Sequence, residues 1–282
     1  MRSGQSRAGP RRRARRGPGG RSKAPVKTVT RFCDQARGIG VGSACAITPG
    51  SAVIRRDLSV VVPAYQCERT VGDVVQGTRR HVERVVVVDD GSRDRTGEVA
   101  RAAGAEVLTL DRNRGKGYAL RAGIDRALAA GAEAILLLDA DGQHDPEDLP
   151  SFLAAWDARR PDLIIGVRLE DRRDIPPARF WTNYIGSRIL TWMSGFELLD
   201  SQSGYRLVSA ALARRMPLSS DGYAIESEML IRAARLGARL EHVRVRTIYN
   251  DGGSHFRPVF DTFRISCAAI YFKVFDDSDA RP

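Results

Sequence analysis

The sequence predicts an α/β fold, an open and mostly parallel sheet with helices on both faces. Three observations predict it. Five short apolar runs between Asp57 and Arg168 are separated by helical segments of 10 to 15 residues, as βαβ crossovers require. Within those runs Val, Ile and Leu are continuous rather than alternating with polar residues, so the strands are covered on both faces. Polar clusters follow directly on the runs, at the strand carboxyl ends where open α/β sheets keep their ligand crevice.

The elements follow in order. LSVVVPAY (58–65) reads as the first strand and is followed by a helix around 68–80. RVVVVDDGS (84–92) is the second strand; Ser92 or Asp94 can cap the helix around 93–103, and AEVLTL (105–110) is the third. A helix around 116–130 leads into AEAILLLDADG (132–142), where Asp145 caps and Pro146 opens a helix that runs through 147–159. DLIIGVR (162–168) is the fifth strand. Beyond Arg168 come a charged loop (169–180), an amphipathic segment around 178–195, LLDSQSGYRLVS (198–209), a helix around 223–236 and the strand-like RLEHVRVRTIY (239–249). This half has too few crossovers for a second nucleotide-binding domain. It is expected to close over the crevice and supply the second substrate's site.

The chain has 282 residues, 43% of them hydrophobic, enough for one sizeable domain. Lys and Arg total 45 against 34 Asp and Glu, but residues 1–31 hold eleven of the basic residues and none of the acidic ones, which leaves 34 against 34 in the rest. The basic balance therefore belongs to a tail, and no specific nucleic-acid partner is expected of the folded body. Residues 1–56 are expected to be a basic, largely disordered extension without a signal peptide. Residues 57–262 are expected to form the catalytic domain, and residues 263–282 an amphipathic helix and tail. Cys33, Cys45, Cys67 and Cys267 show no CxxC spacing, which fits a reducing compartment, and no apolar run is long enough to span a bilayer.

LLLDADGQH (136–144) is the strongest chemical signal. Asp139 and Asp141, two apart after an apolar strand, can converge on one Mg²⁺ or Mn²⁺, a cation that takes hard oxygen ligands and leaves positions open for phosphate. The plainer reading is a turn. In VVVVDDGSRDRT (85–96), Asp89 ends a strand where a carboxylate can accept from a base or ribose, although DDGS alone also makes ordinary turns. VVPAYQCE (61–68) lacks the GxGxxG of a dinucleotide site. DRNRGKGYALRAG (111–123) carries Gly115, Lys116 and Gly117 at a helix start. Either its amides face a phosphate or the loop beneath a nucleotide, or it is a tight helix-entry turn.

In this order VVPAYQCE, VVDDGSRDRT, NRGKG, DADGQHDPEDL, DSQSGYR, GYAIESEM and SHFRP, spanning about residues 57–262, resemble the nucleotide-sugar transferases of glycosyltransferase family 2, and among them the polyprenyl-phosphate, dolichyl-phosphate mannose synthase-like group. The resemblance implies a nucleotide-diphospho-sugar transferase fold and a nucleoside-diphosphate sugar donor. It implies that Pro63, Tyr65 and Glu68 form part of the nucleotide cradle, that Asp89 contacts its base side, and that Asp139, Asp141 and Gln143 hold the metal against the diphosphate. One departure stands out: Gln66 and Cys67 lie between Tyr65 and Glu68 where the family commonly has a single Asn, so the helix start shifts or Glu68 loses its role.

The expected reaction is inverting, metal-dependent transfer to a polyprenyl phosphate. A lipid phosphate is anionic already and needs positive charge rather than a base; Arg168, Arg179, Arg206 and Arg257 are the candidates, with Arg168 and Arg257 foremost. The alternative acceptor is a glycan or small-molecule hydroxyl, for which Asp200 is the candidate base. Glu226 and Glu228 can brace this region. Phe256, Phe260, Phe263, Cys267, Ile270 and Val274 share a helical face, which either packs on the sheet or lies on a bilayer. The expected location is cytoplasmic, with peripheral contact at the membrane's cytoplasmic face. A nucleic-acid-binding protein using its basic arm is the rival of another class.

Overall fold

The computed structural model describes residues 54–168, 187–188, 190–201, 203–246 and 248. The N-terminal extension, the loop with Arg179, Arg257 and the C-terminal aromatic stripe lie outside the described residues.

The elements are β1 (Arg55–Ala64), α1 (Val71–Arg79), β2 (Val82–Asp89), α2 (Thr96–Ala102), β3 (Glu106–Thr109), α3 (Lys116–Ala129) and β4 (Ala134–Leu137). They continue with a 3-10 turn (Pro146–Asp148), α4 (Leu149–Arg159), β5 (Leu163–Arg168), β6 (Arg206–Ser209), α5 (Ala210–Arg215), α6 (Ile225–Arg235) and β7 (Leu240–Val245). The seven strands form one sheet in the order β3-β2-β1-β4-β6-β5-β7. Pairing is parallel except around β6, which runs antiparallel to both β4 and β5.

The continuous apolar runs work as expected. Successive side chains on a strand point to opposite faces, and Val61, Val86, Val88, Ile135, Leu137, Leu163 and Ile165 meet α3 and α6 on one face. Their neighbours Val60, Val62, Val85, Val87, Leu136 and Ile164 meet α1, α2 and α4 on the other. Helix α3 lies close on the sheet because Gly123 has no side chain: a Cβ there would run into Val61.

The second half departs from expectation. β7 falls inside the strand-like 239–249 and forms the edge beside β5, but β6 was not expected as a strand and is inserted between β4 and β5. RLVS follows a polar run and opens on Arg206, so it lacked the continuous Val, Ile and Leu run that marks the five strands before it. Its insertion matters for the site, because it brings the DSQSG segment to the carboxyl end of β4. β1 also opens at Arg55, ahead of the expected strand start at Leu58, and there Arg55 pairs with Asp57 and Asp157.

Candidate active site

β4 ends at Leu137, and the turn after it carries Asp139 and Asp141. Two bonds fix that turn: the Thr70 hydroxyl donates to the Ala140 carbonyl at 2.6 Å, and the Gln143 amide donates to Asp141 Oδ1 at 2.9 Å. Asp145 accepts from the Glu147 amide and caps the turn that Pro146 opens, as the sequence indicates. From the other side the β6 lead-in closes on Asp139 so tightly that a Cβ on Gly204 would overlap its carboxylate.

Lys116 is the cation nearest this turn. Its Nζ is 2.7 Å from Asp139 Oδ1 and 2.7 Å from Glu226 Oε1. Burial opposes the charge on Asp139, but Lys116, with smaller pulls from His144 and Arg206, holds the carboxyl below the usual range. Asp141 goes the other way: burial and the neighbouring negative charge of Asp139 push its carboxyl up. A like-charge conflict of this kind is relieved by a divalent cation. Among the described residues no group of three or more His, Cys, Asp or Glu side chains converges on a metal position. A metal on this turn would therefore draw on Asp139, Asp141, the Gln143 side-chain oxygen and atoms of the substrate.

His144 lies under the turn, 5% exposed and tilted against the Tyr205 ring at 5.4 Å. Burial lowers its pKa to about 4, against the pull of Asp139.

Of the two readings of the glycine-flanked turn before α3, the structure shows the helix-entry turn. The Arg114 and Gly115 amides donate to the two oxygens of Asp90, at 2.7 and 2.8 Å. The Gly117 and Tyr118 amides donate to the Asp221 carbonyl, and a Cβ on Gly117 would run into Ser220. The amides of Arg114, Gly115, Gly117 and Tyr118 are thus taken by the chain itself, and Lys116, expected on the nucleotide side, is bonded to the acidic turn after β4.

Pro63 and Tyr65 are partly exposed at the end of β1, beside the end of β2. The extra residue after Tyr65 is absorbed by a left-handed backbone at Gln66, φ 53°, whose amide donates to the Ser92 hydroxyl. One oxygen of the exposed Glu68 carboxylate accepts from the Arg95 amide at the head of α2, which fastens the two loops together. Asp89, 5% exposed, accepts from the Ser92 amide at 3.0 Å, and its Oδ2 lies against Gly97.

Arg168 and Asp200 meet. Arg168 Nε is 2.7 Å from Asp200 Oδ2 and Nη2 is 3.0 Å from Oδ1, a two-point pair. Arg206 is 1% exposed, and its guanidinium donates to the carbonyls of Ser201, Ser203 and Glu226. It is a strut under the DSQSG segment and is corrected as a phosphate candidate. Glu228, fully buried, accepts from Ser219, Ser220 and Arg232 and braces the approach to α6. Sequence reasoning assigned no role to His144, Gly204, Asp90 or Thr70, all of which shape this site.

Relatives agree with this architecture. One, an uncharacterized protein of Methanocaldococcus jannaschii, is 35% identical over 227 residues, 78% of this chain and 93% of its own. The undecaprenyl-phosphate mannosyltransferase of Micrococcus luteus is 36% identical over 180 residues, 60% of this chain and 73% of its own. The fold is similar to glucosyl-3-phosphoglycerate synthase from Mycobacterium tuberculosis, with a TM-score of 0.62 at 22% identity over 80% of this chain and 81% of that one. Residues 59–218, more than half of the chain, match glycosyl transferase family 2, and with the parallel sheet and the acidic turn at its carboxyl edge the chain belongs to that family and is a glycosyltransferase.

Proposed function

We propose that this enzyme transfers a sugar, with inversion, from a nucleoside-diphosphate sugar to a phosphate-bearing acceptor at a divalent-cation site on Asp139 and Asp141. The supporting observation is the pair of carboxylates in charge conflict on the turn after β4. Asp139, Asp141 and Gln143 would hold Mn²⁺ or Mg²⁺, which when bound offsets the charge growing on the departing diphosphate. Mn²⁺ is supported by the synthase structures that contain it with UDP-glucose. Pro63, Tyr65 and Asp89 line the nucleoside side. Glu68 serves by fastening the loops after β1 and β2, and Lys116 by holding Asp139 ionised and in place. The acceptor oxygen attacks the anomeric carbon as the bond to the diphosphate breaks on the opposite side; an anionic phosphate oxygen has no proton to lose, whereas a hydroxyl acceptor gives its proton to Asp200, the candidate base.

Two acceptors fit. A hydroxyl of a small phosphorylated molecule has the more direct support, since the synthase structures hold phosphoglyceric acid together with UDP-glucose and Mn²⁺. A polyprenyl phosphate is supported by the name of the Micrococcus luteus relative. A nucleotide-sugar donor goes with a cytoplasmic reaction, and membrane contact goes with the lipid acceptor alone; no helix among the described residues is long and apolar enough to cross a membrane.

The test is transfer from UDP-glucose, UDP-N-acetylglucosamine and GDP-mannose, with Mn²⁺ or Mg²⁺, to 3-phosphoglycerate in one arm and a short polyprenyl phosphate in the other, with products identified by mass. Sugar should appear on one acceptor, vanish with EDTA and return with metal. Absence of transfer in every combination, or full activity in EDTA, overturns the proposal.

A further inference from the structure

Strand β7 runs parallel to β5, with Val245 opposite Arg168, so the chain leaves β7 at the carboxyl edge of the sheet. There it is bonded to the turn after β4, although β6 and β5 separate the two strands in the sheet. The Arg246 amide donates to Asp148 Oδ2 at 2.6 Å and Nε to Asp148 Oδ1 at 2.9 Å, while Nη2 lies 3.1 Å from Asp145 Oδ2. Two residues on, the Ile248 amide donates to the Gln143 carbonyl at 2.9 Å. Sequence reasoning assigned Arg246 no role.

We propose that Arg246 is a positioning residue of the donor site: through Asp145 and Asp148, and with the Ile248–Gln143 bond, it holds Gln143 in register with Asp139 and Asp141 for the divalent cation and the diphosphate. This rests on the metal-dependent transfer proposed above.

Three observations support the assignment. The backbone of Gln143 is held on both sides, its amide donating to Asp141 Oδ1 at 2.9 Å and its carbonyl accepting from Ile248. The stem of its side chain is thereby tied to one carboxylate of the proposed metal site and to the chain after β7. The second is the span of the guanidinium. Asp145 and Asp148 bracket the 3-10 turn that follows Gln143, and Asp145 Oδ1 accepts from the Glu147 amide while Oδ2 faces Arg246. One planar fork thus fixes both ends of the turn, which a point charge does not reproduce. The third is exposure. The Arg246 side chain is 60% exposed, against 11% for Asp148 and 19% for Asp145, so its ion pairs are screened and add little to stability. What the contact fixes is geometry, and outer partners of metal ligands govern metal affinity about 10- to 100-fold. Loss of Arg246 should therefore cost metal affinity out of proportion to stability.

The experiment measures Mn²⁺ binding by calorimetry in the presence of UDP or GDP, with thermal melts and transfer kinetics beside it, for Arg246→Met, Arg246→Lys and the unaltered protein. Val82→Ala, in the core at the amino end of β2 and so at the opposite edge of the sheet from this turn, is the reference for lowered stability. Arg246→Met should weaken Mn²⁺ binding about 10- to 100-fold, raise the donor KM alongside, leave the acceptor KM within about twofold and lower Tm by only a few degrees. Arg246→Lys should recover part of the metal affinity, because it keeps the charge and loses the fork. Val82→Ala should lower Tm and bind Mn²⁺ as the unaltered protein does. Mn²⁺ binding and donor KM within about twofold of the unaltered protein in Arg246→Met would reduce Arg246 to a support of the β7 edge and overturn the inference. An equal loss of Mn²⁺ binding in Val82→Ala would trace the effect to stability and overturn it as well. Should Arg246→Met not fold, Arg246→Lys and Asp148→Asn carry the same comparison. If the unaltered protein binds no Mn²⁺ with either nucleotide, the proposed function has failed and the inference falls with it; failure of the inference alone shows as an unaltered protein that binds and variants that bind equally well.

Discussion

Lys116 Nζ stands 2.7 Å from Asp139 Oδ1 and the same distance from Glu226 Oε1, so one ammonium ties the acidic turn after β4 to the first turn of α6. Segments far apart in sequence are joined at the turn proposed to hold the metal. Lys116 therefore serves as the resident counter-charge of Asp139, and any second cation must share that carboxylate with it.

Lys116→Met should show this. The side chains of Lys116, Asp139 and Glu226 are 16%, 23% and 13% exposed, so removing the ammonium leaves two mostly enclosed carboxylates uncompensated. The loss should be roughly 2–4 kcal/mol, below the figure for a fully buried pair, and should appear as a Tm lower by several degrees. Mn²⁺ should recover part of that loss in the variant and raise the Tm of the unaltered protein less, since only in the variant does Asp139 lack its ion-pair partner. Thermal melts with and without Mn²⁺ check both statements, and equal metal effects in the two proteins contradict the shared-carboxylate account.

Asp139→Asn and Asp141→Asn should part company in stability while agreeing in activity. Each removes one of the two charges expected to hold the metal, so each should reduce transfer at least a hundredfold. Asp139→Asn also strips Lys116 of a partner and should lower Tm. Asp141 is held up by burial and by the charge of Asp139, so its neutralisation removes a repulsion and should leave Tm unchanged or raise it. Circular dichroism melts beside transfer assays separate the two, and a larger drop in Tm for Asp141→Asn would reverse the charge map.

Gly204→Ala tests the close approach behind Asp139. The added methyl overlaps the carboxylate of a residue already fixed by Lys116, so Asp139 must rotate or the β6 lead-in must shift. Transfer should fall more than tenfold, with metal affinity falling alongside. Gly222→Ala is the control: among the described residues nothing lies within 4 Å of its Cβ position, and it should behave as the unaltered enzyme. A Gly204→Ala enzyme with normal metal response would show that the contact is dispensable.

Much of this architecture was legible because it is local. The five parallel strands announced themselves as continuous Val, Ile and Leu runs, and Asp139, Asp141 and Asp145 stood where a strand end and a proline-led helix require. What escaped was long-range. β6 is recognisable only once β4 and β5 are seen to leave a gap between them. Gly204 is needed because Asp139, far away in sequence, packs on it. The engagement of Lys116 with Asp139 and Glu226, and of Arg168 with Asp200, depends on crossovers that no spacing rule supplies. The irregular first motif was readable as an extra residue, but that Gln66 would take it up in a left-handed turn depended on Ser92 and Arg95 across the loop.

His242 sets an expectation for stability against pH. It lies on β7 opposite Ile165, and its Nε2 has no hydrogen-bond partner among the described residues. Burial lowers its pKa from 6.5 to about 4, with only a partial counter-pull from Asp200. In the unfolded chain the imidazole takes up a proton as the pH falls below about 6.5, while in the folded protein it stays neutral until about pH 4. Between those values the unfolded state binds more protons, so stability must fall as the pH drops through this window and level out above it. His144 adds to the same slope, its pKa also being lowered to about 4. His242→Gln, close in size and without a titrating ring, should leave Tm at pH 8 within a few degrees of the unaltered protein and flatten the decline between pH 6.5 and pH 4 by one histidine's share. Melts in a series of buffers at constant ionic strength give the two curves. Parallel curves across that interval would show that His242 is protonated in the folded protein and that its burial does not govern its charge.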